Sequence, residues 1–407
     1  MKALRYDFSI PNYVATVAAG KLPGGLLERG RIPGLRLVDA PARPLPGPEW
    51  LRARPLLAGI CGSDIALLTG ASSPALSPFT SFPAVMGHEV VAEIVEVGGG
   101  ISDLRPGQRI ALVPTISCAM RGLPACPSCA SGDPGLCVNG ADGSLAPGLL
   151  TGFCADLPGG WSQDLVLHRE QAVVVPDDLP DEAAVLLEPF AVAVHAALRN
   201  PPPANAKVLL IGAGTIGLLV LAALRMTGVT ADITVLARHP IQERLAMAFG
   251  ATRVLTRSSA DQAAIDWAGA RRYKPIKGGP TMAGGFDWVY DCVGSQRSVM
   301  DSMRVAGPRG EIVLVGCAGE LSRLDLTFVW SRELTITGCY IYGTERSLDG
   351  APHTFDVAID LLQRHPQIRL TDMVTHRFPL ARWQDAIGAT LARGSHGAVK
   401  VVFDCRG

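Results

Sequence analysis

The most constraining stretch of this chain is an apolar run, Val208–Ile211, that meets Gly212-Ala-Gly214-Thr-Ile-Gly217 and continues into Leu218–Leu224. Strand, glycine turn and helix in that order commit the region to a β-α-β unit. The first glycine permits the tight turn. The second lets backbone approach a pyrophosphate, and the third lets the helix pack on the strand. Gly212, Gly214, Thr215, Ile216 and Gly217 are therefore candidate dinucleotide-binding residues, with N–H groups at the helix start facing the phosphates. The bland alternative is a glycine-rich core turn that holds nothing.

The next strand, Ile233–Leu236, ends in Leu236-Ala237-Arg238-His239. An acid at this point would bind a ribose 2′-OH. Here the acid is missing and a cation follows, so Arg238 is placed to pair with a 2′-phosphate. That favours NADP over NAD, unless Arg238 is a solvated surface charge. A helix is expected over Ile241–Phe249, with strands at Trp288–Tyr290 and Ile312–Val315, and Arg271–Gly285 as a loop. Alternating β and α implies a parallel sheet.

The first 180 or so residues have another texture. Short β-type runs, such as Val90–Val97 and Leu165–Leu167, stand between Gly- and Pro-rich connectors, which suggests an all-β body. After about residue 341 come a helical segment (Phe355–Leu362), an amphipathic one (Ala381–Leu391) and a closing strand (Ala398–Phe403). The chain of 407 residues is too long for one ordinary core. The expected division is 1–185, 186–341, and 342–407 returning to the first domain.

Lys+Arg and Asp+Glu both number 37, so the charge footprint of a nucleic-acid binder is absent. Val208–Leu224 is a little short for a membrane span, and Met1–Gly20 lacks a basic leader feeding a long apolar segment. A soluble, cytoplasmic protein is expected. Ten cysteines are too sparse for a disulfide scaffold, and their clustering points to metal in a reducing compartment.

Three segments carry donors for a catalytic ion: Gly59-Ile-Cys61-Gly-Ser63-Asp64, Gly87-His88-Glu89 and Leu187-Glu188-Pro189. Such a zinc needs about three protein ligands and one open position. A thiolate, an imidazole and a carboxylate meet that need, although each alone is more often a packing or hydrogen-bonding residue.

GICGSD, GHE, LLEPFAVAVHAAL, GAGTIG, FDWVYDCVGS, GEIVLVG and ELTITGCYIYG resemble, in order, the medium-chain dehydrogenase/reductase superfamily. Glu188-Pro189 resembles its polyol, sugar and threonine dehydrogenase branch. The resemblance implies an α/β protein, with a GroES-like β domain and a Rossmann domain built on a doubly wound parallel sheet. It implies Cys61 and His88 as zinc ligands, with Glu89 and Glu188 sharing the remaining role, one binding directly and the other through water. Glu89 thus counts as both candidate ligand and candidate catalytic residue. Ser63 resembles the hydroxyl that receives the substrate proton. Many relatives carry His five positions after the Cys, whereas this chain has Ala66.

Cys126, Cys129 and Cys137 resemble three quarters of a structural zinc lobe. The usual first Cys falls at Leu123, so Cys118 is the candidate fourth ligand; the other reading is a degenerate lobe. Two long segments, Gly20–Arg36 and Val138–Gly160, are atypical of the family and are candidate walls of a substrate pocket. His195 reads as a hydrogen-bonded core histidine, and Lys400 has no evident partner.

Three functions stay open. The first is a dehydrogenase of a polyol-like, amino-alcohol or secondary alcohol. The second is an NADPH-dependent carbonyl or enone-type reductase, favoured by Ala66 and Arg238. The third is a non-catalytic binding protein that keeps the fold. The resemblance also implies a homodimer or homotetramer, with Leu334–Tyr342 as a candidate sheet edge.

Overall fold

Val90–Val97, buried at its start and exposed toward its end, and the near-continuously buried Trp50–Gly59 are neighbouring interior strands of one sheet. In the computed structural model, which describes residues 1–20, 25, 27–256, 258–317 and 319–406, the two pair antiparallel, with Ala58 opposite Val90. The sheet runs Val374–Pro379, Lys400–Asp404, Trp50–Gly59, Val90–Val97, Arg109–Leu112, Ala172–Val174. Leu165–His168 pairs with the first half of Trp50–Gly59. A smaller antiparallel sheet joins Leu35–Asp39, Lys2–Tyr6 and Ala84–Val85. This β body is the expected one, and it buries Leu51, Ile60, Met86, Trp161, Leu165 and Phe403 in one core.

The second unit is a six-stranded parallel sheet in the order Arg253–Thr256, Asp232–Ala237, Lys207–Ile211, Phe286–Asp291, Ala306–Leu314, Thr335–Gly338. Strand order reverses between Lys207–Ile211 and Phe286–Asp291. Ligands of open α/β sheets bind at the carboxyl ends of strands at such a switch point, and Gly212 is the residue that follows Ile211 there.

The chain divides into Met1–Glu188 with Leu370–Gly407, and Pro189–Arg369. Residues 342–369 therefore stay with the parallel sheet, where the sequence suggested a return to the β body. Side-chain contacts explain this. Tyr342 packs edge-on against Phe355 at 4.9 Å, in the helix Thr354–Arg364. Glu345 accepts from Thr354 and faces His195 Nδ1 at 2.8 Å. His195 lies in the helix Leu187–Arg199 and has the hydrogen-bonded role expected of it.

One local expectation is corrected. Arg271–Gly285 is an antiparallel hairpin, Arg271–Tyr273 with Thr281–Ala283, and not a loop. The turn between its strands contains Gly278 at φ +95°, a conformation that costs glycine little. Ahead of Gly20, the chain forms a helix, Ile10–Gly20. Ser9 begins it by accepting from the Asn12 N–H at 3.3 Å, and Pro11 sits in its first turn, where no N–H is needed. Lys21–Gly24 and Leu26, within the long segment Gly20–Arg36, lie outside the described residues.

The turn before His88 is sterically specified. Gly87 has φ +94°, and a Cβ there would lie 2.2 Å from the Trp161 ring. Trp161 is fully buried and donates Nε1 to the Gly59 carbonyl at 2.9 Å. Gly87→Ala is expected to destabilise the protein by about 2–4 kcal/mol, seen as a fall in the thermal midpoint by circular dichroism; an unchanged midpoint would contradict this account.

Candidate catalytic metal site, cysteine lobe and dinucleotide turn

Strand register brings the first two donors together. Trp50–Gly59 ends two residues before Cys61, and Val90–Val97 begins two residues after His88. The Gly59 N–H donates to the Glu89 carbonyl at 2.7 Å, so both termini arrive at the same place. Cys61, half-buried, stands close enough to the buried His88 for its charge to act on the imidazole.

Asp64, fully buried, ties the pair. It stands in the first turn of the helix Gly62–Thr69, where Cys61 is the N-cap. Its Oδ2 accepts from the Cys61 N–H at 2.9 Å, and its Oδ1 lies 3.3 Å from His88 Nδ1. The second approach has ion-pair distance without hydrogen-bond angles, so Oδ1 and Nδ1 are buried without a hydrogen-bond partner. Metal-binding imidazoles typically present one ring nitrogen to the ion and the other to a carboxylate. Asp64 stands beside His88 Nδ1, where such a carboxylate would lie. Burial disfavours the imidazolium, but the Asp64 and Cys61 charges outweigh it and raise the His88 pKa well above its usual value. A thiol beside an imidazole is a donor pair that suits zinc. Asp64 was quoted in the sequence motif but given no role there; its position three residues after the cysteine, the capping-box offset, was the available signal.

The two candidate glutamates are placed differently. Glu89 is 1% exposed and forms an ion pair with Lys400, also 1% exposed. Lys400 Nζ further donates to the Ile60 carbonyl at 3.3 Å. Space is tight: a Cβ on Gly59 would lie 2.0 Å from Glu89 Oε2. Arg393 adds a second cation. Burial lowers its pKa while the Cys61 and Glu89 charges oppose that. The sequence named Lys400 without a partner and did not single out Arg393, because both come from the C-terminal segment, far along the chain from Glu89. Glu188 is buried in the first turn of Leu187–Arg199. Among the described residues, no three of Cys61, His88, Glu89 and Glu188 bring ligand atoms within 4.8 Å of one another. Ser63 is half-buried in the helix that follows Cys61, and Ala66 lies one turn further on.

The cysteine lobe is compact. Ligand atoms of Cys118, Cys126, Cys129 and Cys137 all lie within 4.8 Å of one another. Cys118 and Cys137 sulfurs approach to 3.5 Å, and Cys126 and Cys137 to 4.0 Å. A tetrahedral zinc with sulfur at about 2.3 Å sets sulfurs roughly 3.8 Å apart, so these four fit the ion. All four are free thiols. Backbone N–H groups of Cys129 and Val138 lower the Cys126 pKa to about 6, whereas burial raises Cys129 and Cys137. Cys118 thus takes the place that Leu123 cannot, and Leu123 packs against the group.

The dinucleotide turn has the geometry its glycines imply. Gly212 has φ +98°, and a Cβ on Gly217 would lie 1.9 Å from the Gly212 carbonyl oxygen. A Cβ on Gly214 would meet no atom within 4 Å, which leaves space beside the turn. Thr215–Met226 forms the helix, and no side chain caps its N-terminus. Thr215 is buried and Ile216 half-buried in its first turn. Arg238 is exposed just beyond Asp232–Ala237, with its N–H bonded to Gln242 Oε1 at 2.9 Å.

These parts define a zinc-dependent, dinucleotide-using oxidoreductase. Residues 47–177 match the alcohol dehydrogenase GroES-like domain family, and 215–364 match the zinc-binding dehydrogenase family. The chain belongs to the zinc-dependent medium-chain alcohol dehydrogenase superfamily. It is 30% identical to L-galactonate-5-dehydrogenase of Escherichia coli K12, over 83% of this chain and 87% of that one. A solved structure of a Sinorhizobium meliloti 1021 protein, named as a zinc-binding dehydrogenase and bound to NADP, is 27% identical. It covers 99% of this chain and 98% of its own, with a TM-score of 0.70. The RspB alcohol dehydrogenase of E. coli CFT073, complexed with NADH, shares the fold at 24% identity and a TM-score of 0.73, covering 99% of both chains. The chain is an enzyme of this class, transferring hydride between a nicotinamide cofactor and an alcohol or carbonyl. No helix among the described residues is long and apolar enough to cross a membrane.

The buried Glu89–Lys400 pair supplies a test. Removing one partner of a buried ion pair leaves an uncompensated charge, so Lys400→Met is expected to cost about 3–5 kcal/mol. Glu89→Gln with Lys400→Met together should cost less than Lys400→Met alone. Denaturant unfolding of the variants reads the difference, and an equally or more destabilised double variant would refute the pairing.

Proposed function

We propose that this enzyme oxidises a secondary alcohol in a polyol-like, sugar-acid or amino-alcohol substrate with NADP, using a catalytic zinc held by Cys61 and His88. The observation that carries the proposal is the Cys61–His88 pair, clamped by one buried carboxylate, Asp64. Glu188 or Glu89 supplies the remaining zinc contact, directly or through water. A zinc bound here supplies Lewis acidity to the substrate oxygen. Ser63, one helical residue beyond Gly62, is the hydroxyl that takes up or returns the substrate proton. With Ala66 in place of a histidine, the proton then passes to water. Cys118, Cys126, Cys129 and Cys137 hold a second, structural zinc.

The substrate class follows from Glu188-Pro189 and from likeness to L-galactonate-5-dehydrogenase. Gly212, Gly214, Thr215, Ile216 and Gly217 cradle the cofactor pyrophosphate. Arg238, exposed where an acid would repel a 2′-phosphate, favours NADP, in line with the NADP-bound relative. Ala66 and Arg238 also suit the reverse reaction, NADPH-dependent carbonyl or enone reduction, as the second reading. Ten free thiols fit a reducing, cytoplasmic setting. The edge strand Thr335–Gly338, with Trp330, Ile336 and Tyr340 exposed beside it, is the candidate contact of a homodimer or homotetramer.

Absorbance of the reduced cofactor, followed with polyols, sugar acids and their ketones, tests the assignment. Cys61→Ala should lower turnover by at least ~100-fold. Arg238→Ala should lower the NADP-over-NAD preference by about 10-fold or more, the value of one charge-assisted contact. Wild-type turnover by Cys61→Ala would sink the catalytic assignment; an unchanged preference in Arg238→Ala would sink the cofactor assignment.

A further inference from the structure

The segment Val138–Gly160 follows the cysteine lobe; Asn139 at its start donates to the Cys118 sulfur at 3.3 Å, but the segment offers no ligand to the four-cysteine group. Arg121 organises it. This guanidinium is 1% exposed, and buried charges are ordinarily paired with an opposite charge. All four of its hydrogen bonds go instead to main-chain carbonyls. Nη1 donates to Asp142, Leu145 and Ala146 at 3.1, 3.2 and 3.4 Å, and Nη2 donates to Gly148. Nε has no partner. The segment 142–148 is thus wrapped around one planar cation.

Both ends of this clamp lead to metal-binding side chains. Upstream, the Arg121 N–H donates to the Cys118 carbonyl at 3.1 Å, and its own carbonyl accepts from Ser144 at 3.0 Å. Downstream, the Cys154 thiol donates to the Ala146 carbonyl at 3.3 Å. The Ser81 hydroxyl donates to the Pro147 carbonyl at 2.6 Å, while the Ser81 N–H donates to the Phe153 carbonyl at 3.1 Å. The half-buried Phe153 ring then lies 5.5 Å from the His88 imidazole, tilted by 48°. Contacts run without a gap from Cys118 to His88.

We propose that Arg121 is a positioning residue that couples metal loading of the cysteine lobe to the seating of Phe153 against His88, and so to how tightly substrate is held there. Metal binding and local folding are linked wherever ligands must be gathered and deprotonated. Without an ion, four sulfurs packed this closely lose their common partner, and the base of the Arg121 clamp loosens with them. A lysine cannot replace the clamp, because a point ammonium lacks the planar fork that meets several carbonyls at once. The proposal rests on His88 belonging to the catalytic site.

The test compares intact wild-type protein with Arg121→Lys, Cys129→Ser and Phe153→Ala. Amide hydrogen exchange is the first readout. Arg121→Lys and Cys129→Ser are each expected to speed exchange across 142–154 by ~10-fold or more, with Val90–Val97 unchanged. Phe153→Ala should leave exchange in 142–152 as in wild type. Steady-state kinetics is the second readout. Arg121→Lys and Phe153→Ala should raise KM by a similar factor, about 5–10, with a smaller change in kcat. If Cys129→Ser is not recovered folded, graded removal of the lobe zinc from wild type by a chelator takes its place. Wild-type exchange across 142–154 in Arg121→Lys, or after loss of the lobe zinc, overturns the proposal. So does a wild-type KM in Arg121→Lys. The exchange arm needs no turnover, so an inactive wild type counts against the catalytic assignment alone.

Discussion

A main-chain hydrogen bond from Gly59 to Glu89, 2.7 Å long, closes the end of the strand pair from which the catalytic site grows. A slip of one residue in that register would send Cys61 and His88 to opposite faces of the sheet. The register is secured by shape as well as by bonding. Trp161 fills the space that a side chain on Gly87 would need, and its indole N–H holds the Gly59 carbonyl. Gly59 and Gly87, which open the motifs GICGSD and GHE, are therefore steric requirements of the site, quite apart from any ligand.

Around that junction the protein buries an unusual density of charge. Asp64, His88, Glu89 and Lys400 are each no more than 3% exposed. Groups of this kind destabilise a fold unless paired. Here they are paired in a directed way: Asp64 faces Cys61 and His88, while Lys400 faces Glu89. The carboxylate nearest the imidazole thereby orients it, and the neighbouring carboxylate is held by an amine from a distant part of the chain. Arg121 solves a comparable problem differently, with carbonyl dipoles in place of a counter-ion.

Much of this was legible in the sequence. The glycine turn, its strand and its helix read correctly, because each glycine answers a local steric need. The β body was legible from short β-type runs such as Val90–Val97, which forms a strand. Cys118 was a candidate only through the gap at Leu123, and the fold brings its sulfur to the other three. The hairpin at Arg271–Ala283 was missed because its two three-residue strands are too short for a periodic signal. The return point of the C-terminal segment was misplaced by some 28 residues, from 342 to 370, because Tyr342, Glu345 and Thr354 find partners that no local pattern announces.

The sequence by itself determined the two textures of the chain, the dinucleotide turn, and the donor types available for metal: these depend on neighbours a few residues apart. Tertiary structure alone decided which donors meet. Lys400 lies 311 residues from Glu89, and Asp64 lies 24 from His88, so their pairing is written in sheet order and strand register. The physical reason is range: backbone sterics and periodicity act over one turn or one strand, whereas a buried charge finds its partner only after the sheet has closed around it.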